Sequence, residues 1–184
     1  MNPFDFLINT VFDLYLSVVL LRLWLQLVRA DFYNPFCQFV VKATNPVLKP
    51  LRRIIPGFGG FDVASLVLAI LIVMGKLLLL QALGFLGATS AGMLILFSVL
   101  TVIKKAGYLL FWVLIIRAIL SWVSQGRSPI EYVMHQLTEP LMAPVRRMLP
   151  DMGGLDLSIL IIFFGLQFIN YGLLWLLGPI WTFI

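Results

Sequence analysis

The sequence predicts an all-α integral membrane protein whose four transmembrane helices form two tandem repeats of parallel orientation. The first reason is composition: 61% of the residues are hydrophobic and 11% are charged, whereas a soluble domain carries roughly 25% charged residues. The second is length, because several apolar stretches reach the roughly 20 residues that cross a bilayer as a helix. None of them alternates like the strands of an outer-membrane barrel. The third is a loop motif that occurs twice.

The repeated loop covers residues 44–62 and 138–156, which share the pattern T-x-P-x3-P-x-R-R-x2-P-x2-G-G-x-D. Nine of the nineteen positions are identical at a constant offset of 94 residues, which indicates a duplicated unit. We therefore predict repeats at 1–95 and 96–184, each with a long helix, a short amphipathic helix, a proline- and arginine-rich loop and a second long helix. Because each repeat crosses the membrane twice, the copies insert in parallel, with both loops on one side.

Four spans are predicted, two in each repeat: residues 3–30, 63–87, 96–124 and 157–180. The first is long enough to span with tilt and ends before the turn signal Asn34-Pro35. Residues 88–95 are small and polar in part, which predicts a bend before the third span. A different interpretation treats residues 88–103 as a fifth, short span. It would invert the second copy and place its loop outside, so we rank it lower.

A short helix follows the first span of each repeat. Asn34 and Ser128 are predicted caps, and Pro35 and Pro129 occupy the first helical position, where a missing N–H costs nothing. Apolar residues then recur at helical spacing: Phe36, Phe39, Val40 and Ala43 in the first copy, and Ile130, Val133, Met134 and Leu137 in the second. Each helix is too short to span, so we predict that both lie in the membrane interface with the apolar face down. The alternative is a short helix packed against the bundle.

Each loop is predicted to have a broken backbone followed by a sharp turn. Pro46, Pro50 and Pro56 disrupt helical continuation in the first copy, and prolines recur at the same positions in the second. The Gly-Gly pair of each loop permits positive φ angles. Asp62 and Asp156 are well placed to cap the helices that follow.

Six loop residues are candidates for a lipid or partner site, or for a structural lock: Arg52, Arg53, Asp62, Arg146, Arg147 and Asp156. Arginines near a membrane surface can bind anionic headgroups or phosphate. A lock, from Arg52 or Arg53 to Asp62 or to the neighbouring copy, accounts better for the fixed spacing of the prolines, glycines and aspartate. We therefore favour the lock over a ligand site.

The distribution of basic residues predicts the orientation. Eight of the thirteen lysines and arginines flank or lie in the loops: Arg29, Lys42, Lys49, Arg52, Arg53, Arg127, Arg146 and Arg147. Lys104 and Lys105 lie on the opposite side. Because cytoplasmic loops carry an excess of basic residues, residues 31–61 and 125–156 are predicted to be cytoplasmic and both termini to lie outside. The N-terminus lacks the basic region of a cleavable signal peptide, so the first apolar segment is expected to remain as an anchor.

Charged residues within spans are candidates for functional or structural sites, and four are found: Asp13, Arg22, Lys76 and Arg117. Arg22 and Arg117 correspond between the copies and lie about 10–12 Å from the loop side. We favour snorkelling or structural pairing for them over a transport role. Asp13 and Lys76 fall at similar depth in an antiparallel hairpin, about 21–26 Å from the loop side. We predict that they form an ion pair that relieves two buried charges; the alternative is that both are hydrated near the outer interface.

The sequence carries no catalytic or cofactor-binding signature. One cysteine and one histidine exclude an intrachain disulfide and a metal site built on a Cys or His cluster. Gly-rich phosphate loops, zinc motifs and nucleophile elbows are missing, so we expect neither an enzyme nor a cofactor. The formal net charge of +5 indicates orientation in a membrane protein rather than nucleic-acid binding.

The doubled loop, preceded by R-A-I-L-S-W-V-S-Q-G-R-S-P at 117–129, resembles the YggT family of bacterial inner-membrane proteins. The two copies, at 3–87 and 96–180, cover nearly the whole chain. The resemblance implies a small multi-pass inner-membrane protein without an established molecular activity, and hence termini in the periplasm. YggT proteins have been linked to tolerance of osmotic shock. Single-copy relatives are associated with cell division genes, and plastid relatives with nucleoid distribution and the assembly of a membrane cytochrome.

Two functions are consistent with these patterns. The first is a non-enzymatic membrane organiser or assembly factor whose basic loops engage anionic phospholipid, membrane-protein partners or a second copy of the chain. The second is a channel or transporter subunit for ions or small solutes, with the four intramembrane charges near its pathway. Few other polar residues lie within the spans, chiefly Gln81, Gln167 and Asn170, which favours the first.

Overall fold

The computed structural model describes residues 2–57, 60–123, 128–149 and 157–184, apart from the side chain of Trp122. Within these ranges the regular elements are α1 (Pro3–Leu27), α2 (Pro35–Ile54), α3 (Val63–Ala82), α4 (Ala91–Val123), α5 (Pro129–Arg147), α6 (Leu157–Leu177) and α7 (Pro179–Phe183). No β-strand occurs in the described residues. The helices α1, α3, α4 and α6 are long and apolar enough to cross a membrane, which confirms the all-α class and the expectation of four helices of span length. Helix α1 ends three residues earlier than the predicted span, and α3 ends five residues earlier.

Residues with positive φ angles lie just beyond the ends of three spans: Arg29 (52°) after α1, Gly84 (75°) after α3 and Gly178 (55°) after α6. A left-handed residue is a common signal at a helix C-terminus. The fourth span therefore ends at Leu177 and is followed by the separate short helix α7, three residues earlier than the sequence predicts.

The start of α4 corrects the predicted bend. This helix begins at Ala91 and runs for 33 residues to Val123, so the bend is confined to the residues before Ala91. The hydroxyl of Ser90 accepts a hydrogen bond from the backbone N–H of Met93, a pattern typical of a helix cap. The small polar residues thus begin a helix, and residues 91–103 belong to the third span instead of forming a span of their own.

The prediction that the loop prolines break the backbone is wrong at four positions. Helix α2 continues through Pro46 and Pro50, and α5 continues through Pro140 and Pro144. An internal proline removes a hydrogen bond to the carbonyl four residues earlier and costs about 3 kcal/mol. All four prolines lie on exposed faces, where water or lipid headgroups can bind the freed carbonyls. Packing of the opposite face offsets the remaining cost. Pro56 follows the end of α2, as expected, and Pro150 lies outside the described residues.

Helices α2 and α5 pack against the bundle through one face each. The buried residues are Cys37, Val40, Thr44 and Leu48 of α2, and Val133, Met134, Leu137, Thr138 and Met142 of α5. Helix α2 contacts α1, α3 and α5, while α5 contacts α4 and α6. In α2 the buried face is rotated relative to the predicted one, since Phe39 is 62% exposed; in α5 the predicted residues Val133, Met134 and Leu137 are buried. The structure agrees with the alternative of a helix packed against the bundle; the location of α2 and α5 in the membrane interface stays a prediction.

The helix caps of the first repeat follow the sequence pattern. Asn34 caps α2 and accepts the backbone N–H of Phe36 at 2.9 Å. Asp62 caps α3, with its carboxylate 3.3 Å from the backbone nitrogen of Ser65. Ser128 occupies the cap position of α5, but its hydroxyl makes no capping hydrogen bond. Asp156, the predicted cap of α6, lies outside the described residues.

The two repeats are packed unequally. Helices α1 and α3 form a close hairpin whose core contains Leu16, Val19, Leu68 and Val73. Half of the residues in the most apolar stretch of α3 are buried inside the protein, compared with 6% of those in the most apolar stretch of α6. Most of the surface of α6 is therefore available to lipid.

Candidate functional site

Two buried arginines lie at matching positions in the two repeats. Arg22 of α1 is 7% exposed and Arg117 of α4 is 9% exposed. Each lies within the last two turns of its helix, close to the helix that follows, which is α2 or α5. An ionised side chain in such a position is expensive unless it is paired and hydrogen-bonded. The surroundings of the two arginines therefore define the candidate site.

Arg117 is neutralised by residues of α5. Its Nη1 donates to the hydroxyl of Thr138, and its Nη2 donates to Oε2 of Glu139 at 3.2 Å. The other carboxylate oxygen of Glu139 accepts a hydrogen bond from Nη1 of Arg146 at 3.0 Å, and Nε2 of His135 lies 3.3 Å from Oε2. One carboxylate thus bridges a buried arginine and an arginine of the predicted lock.

The charges around Glu139 change its acidity. Burial alone would raise the pKa of this carboxyl, but the hydrogen bond from Arg117 and the positive charge of Arg146 lower the pKa below its ordinary value. The carboxylate form is therefore stabilised in the folded protein, and it supplies the counter-charge that Arg117 requires.

The lock in the first repeat joins different residues. Nη2 of Arg52 donates to Oδ2 of Asp62 at 2.5 Å and to Oε1 of Gln26 at 3.1 Å. Asp62 also accepts hydrogen bonds from the backbone N–H and the hydroxyl of Ser65. Burial would raise the pKa of Asp62, but these hydrogen bonds and the charge of Arg52 hold the pKa below its usual range. This contact connects the end of α2 to the start of α3, as the lock interpretation anticipates.

Arg22 makes no hydrogen bond or ion pair with a carboxylate among the described residues. Asp62 attracts it electrostatically, but that carboxylate is hydrogen-bonded to Arg52 and Ser65, and Arg52 repels Arg22. Its guanidinium carbon lies 5.2 Å from the centre of the Phe32 ring, a cation–π distance. Its Nε and Nη1 have no hydrogen-bond partner among the residues that the structure describes. The position that matches Glu139 at the offset of 94 is Asn45, so the acid of the second repeat is replaced by an amide.

A cleft of about 530 Å³ opens beside this arginine. Its lining residues come from α1, α2 and the segment between them: Arg22, Gln26, Phe32, Gln38, Val41, Lys42 and Arg52. Three of the seven are cations and none is acidic. Of these three cations, Arg52 alone forms an ion pair with an acid among the described residues, and that acid is Asp62. The cleft therefore carries an excess of positive charge.

The remaining loop candidates are at the surface. Arg53 and Arg147 are exposed, which suits contact with solvent, headgroups or another protein. The twin arginines therefore differ in their contacts, because the first of each pair forms an ion pair with a carboxylate of this chain, Arg52 with Asp62 and Arg146 with Glu139.

The predicted ion pair between Asp13 and Lys76 is present at the opposite end of the helices, and a second lysine joins it. Nζ of Lys76 lies 2.9 Å from Oδ1 of Asp13, and Nζ of Lys105 lies 2.6 Å from Oδ2 of the same carboxylate. Sequence reasoning missed Lys105, although the assignment of Lys104 and Lys105 to the outer side was a signal of similar depth. Asp13 thus links both repeats at the end opposite the loops.

The last helix, α7, contacts α4 at the end of the bundle that contains Asp13. Lys104 donates through Nζ to the backbone carbonyl of Trp181 at 2.7 Å and lies 5.4 Å from the centre of the Trp181 ring. Trp181 also donates through its indole N–H to Asn170 at 2.9 Å. Within the described ranges, no group of three or more His, Cys, Asp or Glu residues is placed to hold a metal ion.

These features define a helical membrane protein with four apolar helices of span length and two buried arginines next to α2 and α5. The chain belongs to the CCB3/YggT family, whose model matches residues 1–83 and again residues 96–177.

Several bacterial relatives are similar over nearly the whole chain. An uncharacterized protein in the proC 3′ region of Vibrio alginolyticus is 59% identical over 182 residues, or 98% of each chain. The uncharacterized protein YggT of Escherichia coli K12 is 52% identical over 94% of this chain and 89% of its own length. An uncharacterized protein of Haemophilus influenzae is 42% identical over 95% and 93%. These descriptions state no activity. No solved structure matches the chain.

Proposed function

We propose that this protein is a non-enzymatic organiser or assembly factor of the bacterial inner membrane, with its two repeats inserted in parallel and both loops in the cytoplasm. The observation that carries the proposal is the pairing of the loop ends. The side-chain amide of Asn34 donates to the carbonyl of Pro129 at 2.7 Å, and the backbone N–H of Asp31 donates to Gln136 at 3.3 Å. The starts of α2 and α5 therefore lie together at one end of the helices.

The shared end concentrates exposed positive charge. Exposed basic side chains among the described residues there are Arg29, Lys42, Lys49, Arg53, Arg146 and Arg147. Each Lys or Arg close to an anionic leaflet contributes about 1 kcal/mol of attraction. Such a surface suits contact with anionic phospholipid or with an acidic face of a membrane-protein partner. Osmotic tolerance, which the family resemblance suggests, would then follow from the organisation of that leaflet or partner.

Reporter fusions test the orientation. A C-terminal alkaline phosphatase, which is active only in the periplasm, is expected to be active, and a C-terminal green fluorescent protein is expected to be dark. Insertion of the phosphatase between residues 57 and 60 is expected to give an inactive fusion. The opposite pattern would overturn the proposed orientation.

Charge substitutions test the organiser role. In a strain that lacks the native protein, Arg53→Ala with Arg147→Ala is expected to reduce survival of osmotic shock at an unchanged amount of protein in the membrane. The matched control is Arg53→Lys with Arg147→Lys, which keeps the charge and is expected to restore survival. Equal survival of the alanine variant and the native protein would contradict a role for the exposed arginines.

A channel or transporter subunit is the second candidate. One observation favours it: a cleft of about 350 Å³ between α4 and α6 is lined by the polar residues Lys104, Tyr108, Gln167 and Asn170. Against it, Asp13, Lys76 and Lys105 satisfy one another and leave few charges for a permeating ion. Potassium or sodium flux into liposomes that contain only this protein, abolished by Arg117→Ala, would favour the transporter.

A further inference from the structure

We infer that the cleft beside Arg22 in the first repeat is a binding site for a phosphate group, supplied by the headgroup of an anionic phospholipid or by a soluble phosphate ion. The inference deepens the proposed engagement of anionic lipid and rests on it for the side of the membrane on which the cleft opens. Three observations support it. Two hydrogen-bond donors of the buried Arg22 lack partners among the described residues, and the lining of the cleft is positively charged. In the second repeat, the carboxylate of Glu139 binds the corresponding arginine, Arg117.

The first argument is the state of Arg22. A buried cation with unused donors is costly, and an oxyanion that accepts charge-assisted hydrogen bonds removes that cost. Arg22 is 7% exposed, and its Nε and Nη1 lack partners among the described residues. The arginine is therefore organised for an acceptor that the described protein residues do not supply.

The second argument is the composition of the cleft. Arg22, Lys42 and Arg52 line it together, and Arg52 is held in place by Asp62 and Gln26. After the pairing of Arg52 with Asp62, about two positive charges remain without an acidic counterpart in the lining. An anion entering the cleft meets arranged cations, and guanidinium groups match phosphate oxygens well.

The third argument comes from the second repeat. There the carboxylate of Glu139 accepts hydrogen bonds from Arg117 and Arg146. Arg22 and Arg52 occupy the matching positions of the first repeat, and Asn45 replaces the acid. An external phosphate between Arg22 and Arg52 would reproduce the charge arrangement that the second repeat builds from its own side chain.

The position of the cleft makes lipid a suitable source. Arg22 lies five residues before the end of α1, about 7–8 Å along the helix axis. Phospholipid phosphates lie at the boundary of the hydrocarbon, close to the ends of spanning helices. Phe32 and Val41 give the cleft apolar walls that fit the glycerol and upper chain of a lipid. A soluble phosphate would use the same cations without these walls.

The test measures lipid binding to the full-length, detergent-purified protein by native mass spectrometry and thermal unfolding. The probes are phosphatidylglycerol, phosphatidylcholine with the same acyl chains, and inorganic phosphate. The native protein is expected to retain phosphatidylglycerol, to be stabilised by it, and to discriminate against phosphatidylcholine. If inorganic phosphate produces the same stabilisation, the soluble ion is the source; stabilisation by phosphatidylglycerol alone identifies the lipid.

The most informative variants exchange the residues at the matching positions 45 and 139. Asn45→Glu places a carboxylate where the second repeat has one and is expected to weaken phosphatidylglycerol or phosphate binding by about tenfold or more. Its matched control, Asn45→Gln, is expected to bind like the native protein. Glu139→Asn exposes Arg117 in the same way and is expected to add a second bound anion.

Arg22→Gln serves if Asn45→Glu does not fold, because it removes the cation directly; Arg22→Lys keeps the charge and should retain part of the binding. Anion binding that neither Asn45→Glu nor Arg22→Gln changes would overturn the inference. Absence of any anion binding to the native protein would overturn it as well. Failure of the proposed organiser role would give a different result. Cells that carry Arg53→Ala with Arg147→Ala would survive osmotic shock as well as cells with the native protein, while the cleft of the purified protein still binds phosphatidylglycerol.

Discussion

Arg22 and Arg117 occupy equivalent positions in two copies of one unit, and their surroundings differ in a single decisive way. Both are buried near the loop end of a spanning helix. Glu139 neutralises Arg117 and connects it to Arg146, whereas the first repeat has Asn45 at the matching position and leaves Arg22 facing a basic cleft. The difference indicates that one copy is closed by its own acid and that the other is open to an external anion.

At the opposite end of the helices the acid belongs to the first repeat and not to the second. There the first repeat supplies the acid, Asp13, and its partners are Lys76 of the same repeat and Lys105 of the second. The positions that match Asp13 and Lys76 in the second repeat lie near Gly107 and at Asn170. The two copies of the repeated sequence pattern therefore differ in charge at both ends, and Asp13 and Lys105 form an ion pair between them at the far end.

Removal of the shared acid is expected to have the largest effect. Asp13→Asn leaves two lysines without their carboxylate and should destabilise the protein by about 3 kcal/mol, measured as unfolding in detergent. Lys76→Met should cost less, because Lys105 still pairs with Asp13. The double variant should lose less than the sum of the two. Asp5→Asn, earlier on the same helix, is the control; additive losses would contradict the pairing.

The two arginines themselves give the next prediction. Arg117→Gln removes the hydrogen bonds from the guanidinium to Thr138 and Glu139 and should destabilise the protein by about 2 kcal/mol. Arg22→Gln removes a cation with unused donors and should leave stability near the native value in detergent without anionic lipid. Thermal unfolding of both variants, under identical conditions, measures the difference. Equal losses would mean that Arg22 has a protein acceptor after all.

Acid should destabilise the protein by a smaller amount through Glu139. Because the folded protein lowers the pKa of Glu139, this group contributes stability that is fully present above its unfolded pKa of about 4.3 and is lost as the pH falls through the lower folded value. Glu139→Gln should remove that part of the pH dependence. Unfolding temperatures across pH 3 to 6 are the measurement, and an unchanged slope in the variant would contradict the assignment.

Substitution of the outward-facing arginines should have the smallest effect on stability. Arg53→Ala and Arg147→Ala are each expected to change the free energy of unfolding by no more than about 0.5 kcal/mol, because exposed charges contribute little. Both copies should respond alike, in contrast to the buried arginines. A loss of several times this size at only one of the two positions would reveal a structural role that their exposure does not indicate.

The sequence by itself determined the features that depend on neighbours along the chain. Four apolar stretches of span length, the caps at Asn34 and Asp62, and the depth match of Asp13 with Lys76 all follow from local spacing and from the register of a hairpin. These rules need only the rise per residue and the chemistry of helix ends. The acid difference between Asn45 and Glu139 was also visible in the repeat, although its meaning was not.

Only the tertiary structure decided which side chains meet across the bundle. It brings Lys105 to Asp13 and Glu139 to Arg117, it carries α2 and α5 through their prolines, and it buries α3 far more than α6. Local periodicity cannot specify these outcomes, because they depend on which helices are neighbours and on how much buried packing offsets the lost hydrogen bonds. Two donors of Arg22, Nε and Nη1, lack hydrogen-bond partners among the described residues for the same reason: the surroundings of this arginine are assembled from α1, α2 and the segment between them.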